Sequence, residues 1–518
     1  MNARRWTITA TVTTASELHL GGVGGHETAD DALARDGAGR LVIPGTSLAG
    51  VLRRAVDLEP ALVNHWFGPE NADHAARVWV SDAVETTEAT VIDTRTHVGI
   101  DRFTGAAKDG ILYTTEVVPP GIGFGVEIRV VPLPSDPATN DARTVVSACI
   151  AALHSLSVGA KTGSGRGRLA VRDVMVRYSD LSTPAGVLAA LRGQDPVDAD
   201  LGATPARPAL AGNVVFRLPW RPDGPVQVTE SWADHEADRG PITSSCVLED
   251  GSVGRCFVIP GTSVRGAMRS HAERIVRTLT GVRTTPDEAF IDQVRAGDME
   301  ALVHLFGAAG AEEDDACRGA ISVSDVRSAP FDAALWRKVR NAEKRTAKNG
   351  SERPTERSPA AVAVDKFNES LHGSTGLWLD LVTRNAIDRW TGGTKDAVLF
   401  GTVEVHADRL DTWQPIEITF TPGGTDTDLA SLALLTITLR DLVDGWIALG
   451  HGTTRGAGAV TIDPAAVEVS VGAQARIGDR PPAATTCDWT EWLDLLDAAG
   501  GQAAWTEAVR QARTKETA

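Results

Sequence analysis

Alternating polar and apolar residues open the chain, and the pattern RRWTITATVTTA from Arg4 predicts a half-buried β-strand. The next segment predicts a helix that is capped by Thr46 or Ser47. Its apolar face consists of Leu48, Val51, Leu52 and Val56. Strand patterns follow in RVWVSDAV, ILYTTEVV with FGVEIRVVPL, and RLAVRDVMVRY, and the last of these comes after an apolar-periodic helix in RTVVSACIAALHSL. The predicted order is β-α-β-β-α-β, which is the ferredoxin-like plan.

The second half of the chain repeats this order. Its predicted strands are NVVFRLPW, GAISVSDV, AVLFGTVEV and GAVTIDPAAVEV, and its helices begin near Ser263 and in LASLALLTITLRDLVDGW. VIPGTS occurs at Val42 and again at Val258, GIDRFTGAAKDGILYTTEV is matched by AIDRWTGGTKDAVLFGTVEV, and GAKTGSGRGRLAV is matched by GHGTTRGAGAVTI. HWFG/HLFG and VWVSDA/ISVSDV match between them in the same order. The fold class is therefore α+β, with two ferredoxin-like (RRM-like) modules in tandem.

The repeat defines the predicted boundaries: a first module at 1–180, a linker at 181–212, a second module at 213–475 and a tail at 476–518. The second module carries an insertion at about 328–376, in which the stretch from Arg337 to Arg357 has eight basic and three acidic residues. This stretch is either a solvated loop or a contact for RNA. The tail is acidic, and an apolar stripe formed by Trp489, Trp492, Leu495 and Leu496 is expected to pack against the second module.

Composition, cysteine spacing and net charge limit the class of protein. An apolar content of 42% and a charged content of 23% are ordinary for a soluble protein, and no run approaches the roughly 18 apolar residues of a membrane span. The chain opens without a signal-peptide pattern and its five cysteines have no CxxC spacing, so we expect a cytoplasmic protein without disulfides or zinc. The net charge of -17 argues against a nucleic-acid partner unless the basic residues are locally concentrated.

The glycine-rich runs do concentrate them. GAKTGSGRGR contains Lys161, Arg166 and Arg168, and its copy retains Arg455. Glycine allows backbone amides to approach a phosphate, and the cationic side chains add charge-assisted hydrogen bonds. The alternative is a purely structural turn. The GxxxxGK[ST] spacing of a nucleotide-binding P-loop is absent.

The repeated IDRFTG and IDRWTG turns offer an arginine beside an aromatic ring. We expect Arg102 and Arg389 to be held by the preceding aspartates and to contact RNA, with Phe103 and Trp390 available for stacking on bases. A buried ion pair next to a core aromatic residue is the alternative. Further candidates for RNA contact lie on the two VIPGTS helices, where they are either RNA ligands or plain surface: Ser47, Arg53, Arg54, Ser263, Arg265 and Arg269.

The ordered set LHLGG, IPGTSLAGVLR, FG, SDA, IDRFTG and GAKTGSGRG resembles the RAMP superfamily, and most of all the backbone subunit of type III CRISPR effector complexes. The resemblance implies a ferredoxin-like palm whose helix and glycine-rich loops hold CRISPR RNA, and a thumb hairpin that interrupts guide–target pairing at regular intervals. It also implies target RNA and other subunits of the complex as partners, and no membrane. The N-terminus of each VIPGTS helix is expected to face RNA phosphates.

The resemblance further implies an RNA-cleaving aspartate before the IPG element, acting with Mg²⁺ or Mn²⁺. Aligning Asp36 with the family's acidic position assigns cleavage and metal binding to Asp30, with Asp31 as the fallback. His26 is either an assisting acid–base group or incidental. In the second module the same count back from Asp250 reaches Ser244, while Asp238 lies further upstream. We therefore expect that module to bind RNA without cutting it.

Three alternatives remain open: a guide-binding subunit without catalysis, a guide-processing endonuclease, and an unrelated acidic enzyme on the same scaffold.

Overall fold

The chain forms two compact units in a computed structural model. The first unit comprises residues 1–97 and 112–208, and the second comprises 98–111 and 209–518. The boundary after residue 208 falls within the segment 181–212. The structure describes residues 4–22, 29–69, 74–86, 91–132, 142–202, 212–232, 235–248, 252–295, 299–308, 317–342, 357–394, 399–478 and 485–517. His26 and Asp250 lie outside these residues.

The elements up to residue 191 are these. The strands are β1 (Arg4–Thr14), β2 (Val42–Ile43), β3 (Val78–Val80), β4 (Ala83–Glu85), β5 (Asp93–Ile100), β6 (Ala107–Val117), β7 (Gly123–Val130) and β8 (Leu169–Asp180). The helices are α1 (Gly45–Ala55), α2 (Pro60–Phe67), α3 (Ala142–Leu153) and α4 (Pro184–Leu191), and a 3-10 turn covers Thr162–Ser164.

The core sheet of the first unit has the ferredoxin-like order β8–β1–β7–β3, with every pair antiparallel. Along β1, alternate residues are buried, among them Trp6, Ile8 and Val12, because successive side chains point to opposite faces of a strand. The core of the unit also includes the apolar residues of α1 and α3. The pattern-based prediction of this plan is confirmed.

The remaining elements belong to the second unit. The strands are β9 (Val214–Leu218), β10 (Trp220–Pro222), β11 (Thr229–Ser231), β12 (Arg239–Pro241), β13 (Thr243–Val247), β14 (Val253–Ile259), β15 (Ile321–Val323), β16 (Val326–Arg327), β17 (Phe331–Asp332), β18 (Leu377–Arg384), β19 (Phe400–Ala407), β20 (Ile416–Phe420), β21 (Val460–Ile462), β22 (Glu468–Val471) and β23 (Thr485–Asp488). The helices are α5 (Gly261–Thr280), α6 (Phe290–Arg295), α7 (Glu300–Phe306), α8 (Ala333–Arg340), α9 (Pro359–Thr375), α10 (Thr427–Val443), α11 (Trp489–Ala498) and α12 (Gly501–Thr517). Short 3-10 turns cover Leu410–Thr412, Thr453–Arg455 and Pro464–Ala466.

The core sheet of the second unit has the same order, β15–β20–β9–β22, and β23 extends it. One strand assignment is wrong. The segment AVLFGTVEV was predicted for the core sheet, but it supplies β19, which pairs with β18 in a separate sheet. The third core strand is instead β20, whose sequence is IEITF. Both segments are apolar and strand-like, so periodicity alone does not distinguish them.

Each VIPGTS helix is capped from a distance. The amide of Gly45 donates a hydrogen bond to Asp82 Oδ1 at 2.7 Å, and the amide of Gly261 donates to Asp325 Oδ1 at 2.8 Å. The helices begin at these glycines, and neither has a side-chain cap of its own, so the predicted cap by Thr46 or Ser47 is wrong. The carboxylates also place negative charge at both helix N-termini, which disfavours the phosphate contact predicted there.

The insertion and the tail both contribute to the second unit's core. Helices α8 and α9 bury Trp336, Val339 and Phe367, and residues 343–356, which hold four of the eight basic residues of the insertion's basic stretch, lie outside the described residues. In the tail, Trp489 and Trp492 are buried as expected, and Trp492 Nε1 donates to Thr436 Oγ1 on α10 at 3.1 Å. Among the described helices, none is both long and apolar enough to cross a membrane.

Removing the distant cap is expected to loosen the start of the helix. Asp82→Ala and Asp325→Ala should each cost about 1 kcal/mol, because a helix N-cap acceptor contributes about that much. Asp82→Asn should cost less, since its amide oxygen still accepts. Urea denaturation together with hydrogen exchange at the first turn of α1 or α5 measures the effect. Asp223→Ala is the matched control, and equal stability of all four variants would contradict this role.

Candidate functional site

The glycine-rich loops of the two units have the same backbone geometry. Gly159 and Gly450 have φ values of 86° and 87°, and a Cβ at either would lie 2.2 Å from a main-chain oxygen, that of His19 or of Gln227. Only glycine tolerates this close approach. The close packing fixes the position of each loop beside the segment that follows the first core strand.

The aspartates predicted to cut RNA lie beside the hairpin strand β6. Asp30 donates its amide to Thr114 O at 3.0 Å, and its Oδ2 accepts the Thr114 amide at 2.8 Å. Asp31 forms a parallel bridge with Thr115. Both aspartate side chains are exposed, so they are accessible to a ligand.

The second unit contains a structural counterpart of Asp30, and it is Asp238. Asp238 donates its amide to Gly401 O at 2.9 Å, and its Oδ2 accepts the Gly401 amide at 2.8 Å. Gly401 occupies the position of Thr114 in the aligned hairpin sequences. Ser244 is buried in β13, where it pairs with Cys256, so the count that led to Ser244 is wrong. It failed because the loops before the two IPG elements differ in length and pairing.

A buried charge cluster formed by Glu17, Arg95 and Arg166 includes one residue of the first glycine-rich loop, Arg166. Arg95 pairs with Glu17, and Arg166 Nη2 lies 3.4 Å from Glu17 Oε2. Arg166 is 1% exposed, so its predicted contact with RNA is wrong: its guanidinium group is buried beside the Glu17 carboxylate. In the second unit the corresponding positions are Pro225 and Ala457, which cannot form this pair.

Three side chains that were not predicted as site residues form a row of contacts that begins at Lys161: Tyr113, His97 and Thr115. Lys161 Nζ lies 4.5 Å from the Tyr113 ring centre, and that ring is 4.9 Å from the ring of His97. His97 is also 3.1 Å from Thr115 Oγ1. Burial, and then the charge of Arg166, lower the pKa of Lys161 to about 8, while Asp31 acts in the opposite direction. Asp31 thus belongs to the same electrostatic environment as Lys161.

The backbone at Lys161 is itself unusual. Its φ of 59° lies in the left-handed region, which glycine favours and which Gly452 adopts at the same place in the second unit. A lysine at such a position is strained, and strain of this kind is found most often at functional sites. Lys161 therefore remains the best cationic candidate in the first loop, beside the half-buried Arg168.

The corresponding surface of the second unit is basic. Arg455 is exposed, with its Nη2 3.1 Å from His451 Nε2. Burial, and then the charges of Arg239, Arg455 and Arg384, lower the pKa of His451. In the aligned sequences Arg239 replaces Asp31 and Arg384 replaces His97. The second unit thus keeps the counterpart of Asp30 and has arginines at the positions of Asp31 and His97.

The candidates on the VIPGTS helices divide into two groups. Arg53 donates to Gly68 O and to Asn64 Oδ1, Arg265 donates to Phe306 O at 2.6 Å, and Arg269 pairs with Glu273 at 2.7 Å. The side chains of these three arginines therefore bind carbonyl, amide or carboxylate oxygens of the protein itself. Arg54 is exposed and has no partner among the described residues, and Ser47 and Ser263 are half-buried.

The aspartates of the IDRFTG and IDRWTG turns do not hold the neighbouring arginines. Asp101 Oδ1 accepts from the Thr104 amide at 2.9 Å, and Asp388 Oδ1 accepts from the Thr391 amide at 2.8 Å. These amides lower the pKa of both carboxyls. Arg102 pairs with Glu273 instead, at 2.5 Å. The predicted Asp–Arg pairing is wrong, because a carboxylate that follows a strand closes its own turn first.

The donor set beside β6 suits a hard cation. Asp30 Oδ1 and both carboxylate oxygens of Asp31 accept no hydrogen bond from described residues. Mg²⁺ is commonly held by one or two carboxylates and completed by water and phosphate oxygens. No group of three or more His, Cys, Asp or Glu in the described part of the chain would hold a metal alone. The residues therefore fit a metal shared with a phosphate ligand.

A family model settles the broader relationship. The model described as "RAMP superfamily" matches residues 11–170 and 245–461, which is most of both units. The chain belongs to the RAMP superfamily. Its two matched segments each contain an IPGTS helix and a glycine-rich loop, as expected for tandem RAMP modules. None of the curated proteins matches the chain.

One similar solved structure is a chain from "Cryo-EM structure of the Type III-B Cmr-beta bound to cognate target RNA". It is 14% identical, and the match covers 33% of this RAMP chain and 61% of that one, with a TM-score of 0.28. The match thus spans less than two thirds of the Cmr-beta chain.

His97 should make the first unit sensitive to acid. Burial, and then the charges of Lys161 and Arg166, lower the pKa of His97 from 6.5 to about 3. Between these values the unfolded chain binds a proton that the folded chain does not, so stability falls as the pH falls through this window. His97→Gln should therefore lose stability less steeply from pH 6.5 to pH 3.5, as measured by urea denaturation at each pH. Equal slopes for both proteins would contradict the assignment.

Proposed function

We propose that this chain is a CRISPR RNA-binding backbone subunit of a type III effector complex, and that its first unit cleaves guide-paired target RNA. Membership in the RAMP superfamily supports the general role. Ferredoxin-like sheets with adjacent basic loops are a common scaffold for RNA binding. The repeated glycine-rich loops supply two such sites in one chain, and they concentrate basic residues despite the net charge of -17.

The observation that carries the cleavage proposal is the exposed Asp30–Asp31 pair beside Lys161. The Thr114 amide orients the Asp30 carboxylate and leaves its second oxygen available. Lys161, whose Nζ is buried in this structure, adds positive charge near this pair, at a pKa of about 8 that keeps it mainly protonated at neutral pH. Asp30 and Asp31 would hold Mg²⁺ or Mn²⁺. The ion would supply activation of the attacking oxygen and neutralise charge on the scissile phosphate.

Asp238 supports a second candidate, in which the second unit also cuts. Its main-chain and side-chain hydrogen bonds to Gly401 reproduce those of Asp30 with Thr114. Arg239 in place of Asp31 removes one carboxylate. The two candidates therefore differ in whether one aspartate suffices for cleavage or whether the pair is needed.

Single substitutions distinguish these candidates. The complex assembled with a guide and an end-labelled complementary RNA should give a cut that Asp30→Ala reduces at least about 100-fold, since a ligand to a catalytic metal is lost. Asp31→Ala reports whether the pair is needed. Asp238→Ala should remove a second, separate cut if the second unit is active and should change nothing if it is not.

Asp36→Ala is the matched control, because its carboxylate binds its own loop and Arg40. Full cleavage by the Asp30→Ala and Asp31→Ala complexes at the first position would refute the assignment to this loop. Guide binding without any cut in wild type would support the alternative of a structural subunit. Cleavage of a guide precursor by the isolated chain would support a processing enzyme.

RNA binding itself is tested through the exposed arginines. Arg54→Ala and Arg455→Ala should each weaken binding of single-stranded RNA and lower the slope of log K against log salt by about 0.7, the value for one lost phosphate contact. Fluorescence anisotropy at several salt concentrations measures both quantities. Arg476→Ala, an exposed arginine beyond β22, should leave the slope unchanged. An unchanged slope in all three variants would contradict these contacts.

A further inference from the structure

One face of the first unit's core sheet is open to solvent in the part of the chain that the structure describes. The other face packs against α1 and α3, and it buries alternate residues of β1, among them Ile8 and Val12. Successive side chains of a strand point to opposite sides, so the threonines between these residues lie on the open face. Thr7, Thr9 and Thr11 are partly exposed there. We call this surface the outer face; antiparallel sheets are commonly solvated on one side.

Strand register brings four side chains into one row across the outer face, which we call the Trp79 row. Trp79 of β3 pairs with Arg129 of β7. Arg129 in turn pairs with Thr7 of β1, and Thr7 pairs with Arg177 of β8. Trp79 is 54% exposed, and its Nε1 donates to Ala76 O at 3.0 Å, which restrains the ring. The side chains of Arg129 and Arg177 are exposed, so the row presents an indole ring and two guanidinium groups to solvent.

The outer face is basic, although the chain is acidic overall. Five charged residues occupy its register positions: Arg5, Arg129, Arg172, Arg177 and Glu127. Four positive charges against one negative leave +3, or +2 when Asp173 in the bulge of β8 is added, on a chain of net charge -17. Met175, which pairs with Thr9, is 40% exposed and adds an apolar side chain. The local charge therefore attracts a polyanion to this face.

The second unit has the same row with other side chains. The register of β15, β20, β9 and β22 gives it four uncharged residues of modest size: Ser322, Thr419, Val215 and Ser470. Ser322 replaces Trp79 in the repeated VSDA/VSDV segments. In the next row Arg217 lies between Glu417 and Glu468, and Arg217 Nη1 is 3.2 Å from Glu468 Oε2. The exposed ring and the excess of positive charge thus belong to the first unit's sheet.

The Trp79 row lies far from the glycine-rich loop of the same unit. That loop ends at Arg168, directly before β8 begins at Leu169. Arg177 is eight residues further along the strand, about 25 Å away at roughly 3.3 Å per residue. A ligand on the row therefore occupies a different place from one at the loop.

We propose that the outer face of the first unit is a separate binding surface for single-stranded RNA. Trp79 stacks on one base, as exposed aromatic rings on four-stranded sheets of RNA-binding modules do. Arg129 and Arg177 bind the neighbouring phosphates through charge-assisted hydrogen bonds. The strand must be single because a paired base cannot lie flat on the ring. The proposal rests on the RNA-binding role proposed above, but it depends neither on cleavage nor on the glycine-rich loops.

Substitutions in the Trp79 row test this surface against matched positions of the second unit. The full chain, freed of nucleic acid, is titrated with a labelled oligouridylate at several salt concentrations, and fluorescence anisotropy gives the affinity. Trp79→Ala should weaken binding at least about fivefold, because one stacked base is lost, whereas Trp79→Phe should keep most of the affinity. Arg129→Ala and Arg177→Ala should each lower the slope of log K against log salt by about 0.7. Ser322→Ala and Arg217→Ala should change neither quantity.

The titrations use the Arg54→Ala/Arg455→Ala chain, because RNA bound at the other proposed contacts would mask the effect. Ultraviolet crosslinking of the wild-type chain to the same oligouridylate gives a second readout, and the peptide that contains Trp79 should carry a nucleotide. Urea denaturation of each variant shows that the fold is kept.

Unchanged affinity in the three alanine variants of the row, with no crosslink at Trp79, would overturn the proposal. If RNA affinity falls only with the Arg54 and Arg455 substitutions, the proposed function stands and this surface does not. If it falls only with the row substitutions, the surface stands and RNA contact at Arg54 and Arg455 is refuted. Loss of complex assembly without loss of RNA affinity would assign the outer face to a protein partner and refute RNA binding there.

Discussion

The close approach of a glycine to a main-chain oxygen is the constraint on which both sites depend. At Gly159 and Gly450 any side chain would collide with the carbonyl of His19 or Gln227, so the loop lies directly against the segment after the first core strand. That contact places Lys161 near Tyr113 in one unit and Arg455 near His451 in the other.

The duplicated scaffold supports two different sets of side chains. The first unit has the Asp30–Asp31 pair and a lysine of lowered pKa over a buried cluster of Glu17, Arg95 and Arg166. The second unit keeps Asp238, has Arg239, Arg384 and Arg455 near His451, and has Pro225 and Ala457 at the positions of Glu17 and Arg166. Since the backbone geometry is shared, chemistry can diverge between the units without cost to the fold. The proposed division into one unit that cuts RNA and one that mainly holds it would be such a divergence.

Periodicity and the internal repeat were enough to predict the ferredoxin-like order, because core strands and amphipathic helices carry their own local patterns. Contacts between distant residues were not predictable in this way. The cap from Asp82 to Gly45 spans 37 positions, and only the repetition of SDA and SDV hinted at it. Asp238 was missed because counting along loops of unequal length loses the register that pairing with β19 fixes. Arg166 looked like a phosphate ligand because a sequence does not show that its counter-ion, Glu17, is buried with it.

Both glycine-rich loops are proposed to hold RNA. Ultraviolet crosslinking of the assembled ribonucleoprotein, followed by mass spectrometry of the crosslinked peptides, tests this most directly. We expect crosslinked nucleotides in the peptides that contain 159–168 and 450–458, and on Tyr113 in the first unit, because single-stranded RNA lies against aromatic and basic side chains at such sites. RNA crosslinked only elsewhere on the chain, with both loops unmodified, would contradict the account.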